Sequence, residues 1–227
     1  MTNNFTVTEI IDPTSGNIER VYKYKKKPCR RLLLDSKLCR QLAGYTLIEK
    51  DLRNVLTWLH EIETRHNEGP ARNDQNVHKP INRENYDLIK GLFVAALTFY
   101  GKCFSKCEGR PVKLERAQLD VKFHEIHDNC ISYRHNFAAH SGAERLEHVQ
   151  IALVFPVRFK NNVPFNLYRE LNQPYLLWHT SEEIALADLV EHARSIAVSK
   201  IDLLSEKIKR EEILPNANKY WRTKLGP

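Results

Sequence analysis

The stretch SKLCRQLAGYTLIEKDLRNVLTWLHEIE, residues 36–63, decides the fold. Its apolar positions Leu38, Leu42, Tyr45, Ile48, Leu52, Val55, Leu59 and Ile62 follow one another in steps of three and four. That spacing puts them on one face of a helix, which needs a partner surface to bury it. Ser36 stands where a side-chain oxygen can cap the first turn. Working outward, Asn82 can cap a second helix with the stripe Tyr86, Ile89, Phe93, Ala96, Tyr100 and Phe104, closed by the turn residues Gly109 and Pro111. A third helix is expected from Leu114 to Ser141, with Leu119, Phe123, Ile126, Cys130, Tyr133 and Phe137 in line and Gly142 as its left-handed stop. Thr180-Ser181-Glu182-Glu183 matches a capping box and opens a fourth helix to about Ile213, with Leu186, Val190, Ala193, Ala197, Ile201, Leu204 and Ile208 on one face.

The remaining segments read as strands and connections. Phe5 to Ile11 and Ile18 to Tyr24 are rich in β-branched and aromatic residues, and Asp12-Pro13-Thr14-Ser15-Gly16-Asn17 between them is turn chemistry, so a hairpin is expected. Val149, Ile151, Leu153 and Phe155 alternate as a strand; a second short strand is expected at 175–178, with 161–174 irregular between them. The two pairs of strands could join in one sheet. Residues 64–82 form a long polar connection. The fold class expected is mainly α: four amphipathic helices in a bundle with an N-terminal β-hairpin and a β insertion. An α+β domain is the alternative. The corresponding divisions are 1–35, a hairpin with a basic segment; 36–213, the helical domain with the β insertion at 149–178; and 214–227, a basic and aromatic tail.

Composition narrows the function. A chain of 227 residues, 42% hydrophobic and with only 8 Gly and 10 Pro, can bury a sizeable core. The longest apolar run, Leu92 to Leu97, is far short of the roughly 18 to 20 residues of a membrane span, so no membrane is expected. Residues 1–6 lack the basic and apolar regions of a secretory signal, so none is expected, and five cysteines suit a reducing, cytoplasmic setting. Between Ile18 and Arg40 nine basic residues stand against Glu19 and Asp35, which accounts for the whole net charge of +7. Lys25, Lys26, Lys27, Arg30 and Arg31 are the centre of that segment and the candidate phosphate-backbone contacts. A solvated strand edge guarded by lysines would look the same.

Nucleotide-binding loops, nucleophile elbows and zinc-protease motifs are absent from the sequence. Cys103 and Cys107 could supply half a zinc site, with nothing to complete it, so no metal is expected. The segment with chemistry is Ser132-Tyr133-Arg134-His135-Asn136-Phe137-Ala138-Ala139-His140-Ser141-Gly142. On a helix at ~100° per residue, Arg134 and His140 flank Phe137 at about 60° on either side. Two polar heads beside a buried aromatic need compensation, which a second chain or a bound anion would supply. A histidine can move a proton and an arginine can stabilise charge on a phosphate, the two tasks of phosphodiester cleavage without metal. His127, one heptad before Arg134, could line the same groove. The bland alternative ties Arg134 to Glu182 or Asp188 and makes His140 a helix cap.

Arg134-x5-His140, with polar His135 after the arginine, resembles the R-x(4–6)-H motif of HEPN domains, and Ala96 to Phe104 is similar to the second-helix signature of some HEPN proteins of bacterial defence loci. The resemblance covers roughly residues 36 to 213 without the β insertion. It implies a HEPN-like antiparallel helical bundle that forms a homodimer, with the two motifs meeting across the dimer. It implies a metal-independent and cofactor-free endoribonuclease of a toxin–antitoxin or antiviral defence system, leaving 2′,3′-cyclic phosphate and 5′-hydroxyl ends. His140 would move protons at the 2′-hydroxyl and the leaving oxygen, Arg134 would bind the scissile phosphate and His135 would assist. RNA and an antitoxin or companion subunit are the partners implied. Other members of the family are non-catalytic modules that bind RNA or a protein, which is the alternative function.

Overall fold

The structure is a computed structural model, and it describes residues 4–67, 83–135, 148–158, 164–172 and 185–222. These fall into two units, one within residues 1–37 and one within 38–227.

The first unit is a three-stranded antiparallel sheet of β1 (Phe5–Ile11), β2 (Ile18–Tyr24) and β3 (Lys27–Pro28). The hairpin read from the sequence is present, with Phe5 opposite Tyr24 and Ile11 opposite Ile18. Its first turn is held by Asp12. The carboxylate accepts the Thr14 amide at 2.9 Å and the Ser15 hydroxyl, while Gly16 takes a positive φ of 69°. Those bonds, the Ser15 hydroxyl first, hold the Asp12 carboxyl below its ordinary pKa. The second turn is different. Tyr24 pairs with Lys27, which leaves Lys25 and Lys26 as a two-residue connection with φ of 47° and 66°. Positive φ at both positions is the mark of a type I′ turn, whose usual occupants are Asn and Gly. A side chain there costs about 1–2 kcal/mol per residue.

The second unit is mainly helical. Its long helices are α1 (Lys37–Asn67), α2 (Arg83–Cys103), α3 (His124–Tyr133) and α4 (Leu186–Ile208). All four contribute to one core. Ile48, Leu52 and Val55 come from α1, Phe93, Leu97 and Tyr100 from α2, Ile126 and Cys130 from α3, and Leu189, Val190 and Ala193 from α4. The stripes expected for α1, α2 and α4 are therefore the buried ones. At about 25 cal/mol per Å² of apolar surface removed from water, this shared core is the main stabilising term of the unit.

The third helix is shorter than its periodicity suggests. Residues 112–115 carry no regular secondary structure, two 3₁₀ turns follow at Arg116–Gln118 and Val121–Phe123, and α3 begins only at His124. Tertiary bonds hold the chain out of the helix. The Leu114 amide donates to Cys103 O at 2.9 Å at the end of α2, and the Asp120 amide donates to His192 Nε2 of α4 at 3.1 Å. Leu114, Leu119 and Phe123 are still buried, so irregular backbone reproduces a helical burial pattern.

The β insertion is a second two-stranded sheet, separate from the first, with β4 (His148–Val154) paired to β5 (Asn166–Asn172). The partner strand thus lies in the stretch expected to be irregular, and 175–178 lies outside the described residues. The β5 run Leu167-Tyr168-Arg169-Glu170-Leu171 breaks the strict apolar–polar alternation that marks a strand, with Arg169 on the same side as the two leucines. The expected capping box at 180–183 lies outside the described residues, and α4 begins at Leu186 after an extended Ala185. Asp188 accepts the Ala185 amide at 3.2 Å and caps the helix from within. Beyond α4 a π-helical turn at Lys209–Ile213 and a 3₁₀ turn lead into α5 (Ala217–Arg222). No described helix is long and apolar enough to cross a membrane.

Candidate functional site

Arg134 follows the last residue of α3, and its amide continues the helix by donating to Cys130 O and Ile131 O. Its side chain reaches α2. A β-carbon on Gly101 would collide with Arg134 Cδ and stand 3.1 Å from both Nε and Nη1, so the guanidinium lies in a bed that only glycine leaves open. Nη1 donates to Ser105 Oγ at 2.9 Å, and Ser105 Oγ in turn donates to Gly101 O at 2.8 Å. The cation is held against the last turn of α2, where carbonyl ends make the potential negative. Among the described residues no carboxylate pairs with it; Asp188, one of the two acids considered, is engaged at the start of α4. The other, Glu182, lies outside the described residues, as do Asn136, Phe137 and His140. His135 is described and exposed.

His127 also meets α2, one position away. Its Nδ1 shares a 2.7 Å hydrogen bond with the Tyr100 hydroxyl, and its ring lies 4.5 Å from that of Phe104. Both partners are buried. Burial pushes the His127 pKa down and the Tyr100 pKa up, so the pair is neutral at physiological pH. His127 belongs to the packed interior and does not line a groove. Residues 100 and 104, at and just beyond the end of α2, thus receive the histidine while 101 and 105 receive the arginine.

A further cluster was not legible in the sequence. Asp51 is 1% exposed on the apolar face of α1, with Lys50 Nζ at 2.8 Å, Lys102 Nζ at 3.2 Å and Arg110 Nη1 at 3.8 Å. Arg110 is itself buried and donates through Nη2 to Lys102 O. Its Nη1 and both Asp51 oxygens have ion-pair neighbours, but neither they nor Arg110 Nε make a bond of hydrogen-bonding geometry. One buried carboxylate therefore faces three cations. The only sequence signal is an acid at a position whose neighbours, Ile48 and Val55, are core residues.

Cys103 and Cys107, the candidate half of a zinc site, do not share a helix. Cys103 is buried in α2, whereas Cys107 lies beyond it in a bridge to Arg110. Among the described residues no three of His, Cys, Asp and Glu gather as a metal would require. A shallow cleft of about 360 Å³ is lined by Lys122, Phe123, Asp188, Glu191, His192 and Ser195, and it contains none of the residues expected to act. Lys25, Lys26, Lys27, Arg30 and Arg31 are all exposed, and they belong to the first unit. Comparison of the chain with protein-family models, curated proteins and solved structures gives no match.

Proposed function

We propose that the protein is a metal-independent endoribonuclease of HEPN type, acting as a homodimer, with Arg134 and His140 as its catalytic pair and His135 auxiliary. The observation that carries this reading is the setting of Arg134. A cation anchored on a glycine bed by one hydroxyl, with no acid beside it among the described residues, is suited to hold a phosphate in a fixed place. His140, six residues on, would take the proton from the 2′-hydroxyl and return one to the 5′-leaving oxygen. The bond formed joins the 2′-oxygen to phosphorus and the bond broken frees the 5′-oxygen, so the ends are a 2′,3′-cyclic phosphate and a 5′-hydroxyl. The exposed basic segment 25–31 would recruit the RNA, and a toxin or defence role would bring an antitoxin or companion subunit.

The test is cleavage of a labelled RNA in the presence of EDTA. Wild type should leave the two ends named, and Arg134→Ala and His140→Ala should each abolish cutting without changing the melting temperature. Equal cutting by both variants would remove the assignment. The exposed face of β4–β5 favours a second reading, a non-catalytic module that docks a protein. Val149, Ile151, Leu153, Leu167 and Leu171 lie on one side of that hairpin and all are exposed. Under that reading, Ile151→Lys would release a partner and no RNA would be cut.

A further inference from the structure

The tip of the first sheet joins three features that none of the catalytic argument uses. Phe5 and Tyr24 stand opposite each other on one face, with ring centres 4.7 Å apart, and they are 56% and 41% exposed. Lys25 Nζ lies 5.6 Å from the centre of the Tyr24 ring. Next to the rings, the turn that begins at Lys25 places two lysines where the backbone demands positive φ, and Lys27 follows directly. Asn-Gly would make this turn without strain. Two lysines there put charge at a position where the backbone opposes a side chain, and an observed outlier of this kind is a ground for inferring function.

Exposed aromatic faces beside a run of cations are the components of a single-strand platform. Each base can stack on a ring, and the phosphates track the lysines. A duplex cannot use the rings, because its bases are already stacked on one another, and it would engage the charges alone. An anionic lipid surface would likewise use only the charges and would not require an exposed ring pair beside them. We infer that the Phe5–Tyr24 pair and Lys25, Lys26 and Lys27 form a binding site for single-stranded RNA, with bases on the rings and the backbone on the lysines. This inference rests on the reading of the basic segment as the part that recruits RNA, and it does not rest on catalysis at Arg134.

The test uses the full chain carrying Arg134→Ala, so that no RNA is cut, and measures fluorescence anisotropy with a labelled oligouridylate, a labelled RNA duplex of equal length and phosphatidylserine vesicles. Tyr24→Ala should weaken oligouridylate binding about tenfold, and Tyr24→Trp should restore it. The double variant Lys25→Asn/Lys26→Gly should lower the salt slope by about 1.4, two phosphate contacts at about 0.7 each, while the protein melts no earlier than wild type. The second variant separates binding from folding, because it relieves the turn and removes only charge. The inference is overturned if oligouridylate binds all three variants like the parent, if duplex binds as tightly as single strand with Tyr24→Ala silent, or if only vesicles bind. RNA cutting by the wild-type chain, dependent on Arg134 and His140, with silent tip variants would remove this inference alone. Binding at the tip with no cutting by the wild-type chain would remove the catalytic reading and leave this one standing.

Discussion

The side chain of Arg134 runs through the space that a β-carbon on Gly101 would fill, its Cδ nearest, and Ser105 pins the guanidinium beside it by one 2.9 Å bond. Gly101→Ala must therefore displace the arginine, while the helix gains about 1 kcal/mol in intrinsic propensity. RNA cleavage should fall about a hundredfold, the scale of a misplaced reacting group, with little change in thermal stability. Ser105→Ala keeps the bed and removes the pin, and a loss of about tenfold is expected. Single-turnover cleavage beside a thermal melt checks both. Full activity in Gly101→Ala would mean that the position of the guanidinium does not matter.

The Tyr100–His127 pair gives stability a pH dependence. Burial depresses the folded pKa of His127 below its unfolded value near 6.5. Above that value both states hold a neutral ring and nothing is lost. As pH falls below about 6.5 the unfolded chain binds the proton first, so stability drops by up to about 1.4 kcal/mol per pH unit until the folded pKa is reached. His127→Gln should remove this slope between pH 7 and 5 in urea melts. Tyr100→Phe should cost about 1–3 kcal/mol at pH 7, because the buried ring nitrogen loses its partner.

Much of the helical unit was legible because α1, α2 and α4 bury the residues that recur at three and four. The third helix misled for a physical reason: Leu114, Leu119 and Phe123 are buried at nearly helical spacing by loop and 3₁₀ backbone. β5 was hidden because Arg169 interrupts the leucines on its face and asparagines bound it at both ends. At the site, Arg134 could be picked out by its motif. The glycine bed and the serine pin could not, since only the packing of α3 on α2 brings residues 101 and 105 to it. Asp51 was invisible for the same reason, because its buried partner Arg110 is close only in the fold.

Thiol chemistry distinguishes the cysteines. None of the five forms a disulfide. Cys103 and Cys130 are fully buried, and burial pushes their pKa up, that of Cys103 to about 12. At pH 8 a thiol of that pKa is only about one part in ten thousand thiolate, the reactive form. Cys29, Cys39 and Cys107 are half-buried. Timed labelling with a thiol reagent should modify these three in the native protein and the other two only on unfolding. Rapid native labelling of Cys103 would contradict the packing of α2 on α1.

Asp51 and Arg110 should dominate any stability scan of the helical unit. Removing one member of a buried pair strands the other charge, which costs about 3–5 kcal/mol, whereas exposed pairs such as Arg116–Asp128 are worth about 1 kcal/mol or less. Asp51→Ala should therefore destabilise by several kcal/mol, because Arg110 keeps only Lys102 O and the Cys107 sulfur as acceptors. Arg110→Met alone should cost less, since Lys50 and Lys102 remain beside the carboxylate. The double variant Asp51→Leu/Arg110→Met replaces the pair by apolar groups and should recover much of the loss, as buried ion pairs exchanged for hydrophobic ones commonly do. Urea unfolding of the four proteins closes the cycle. A coupling energy near zero would show that the two charges are insulated from each other, and the cluster would then owe its burial to α1 packing alone.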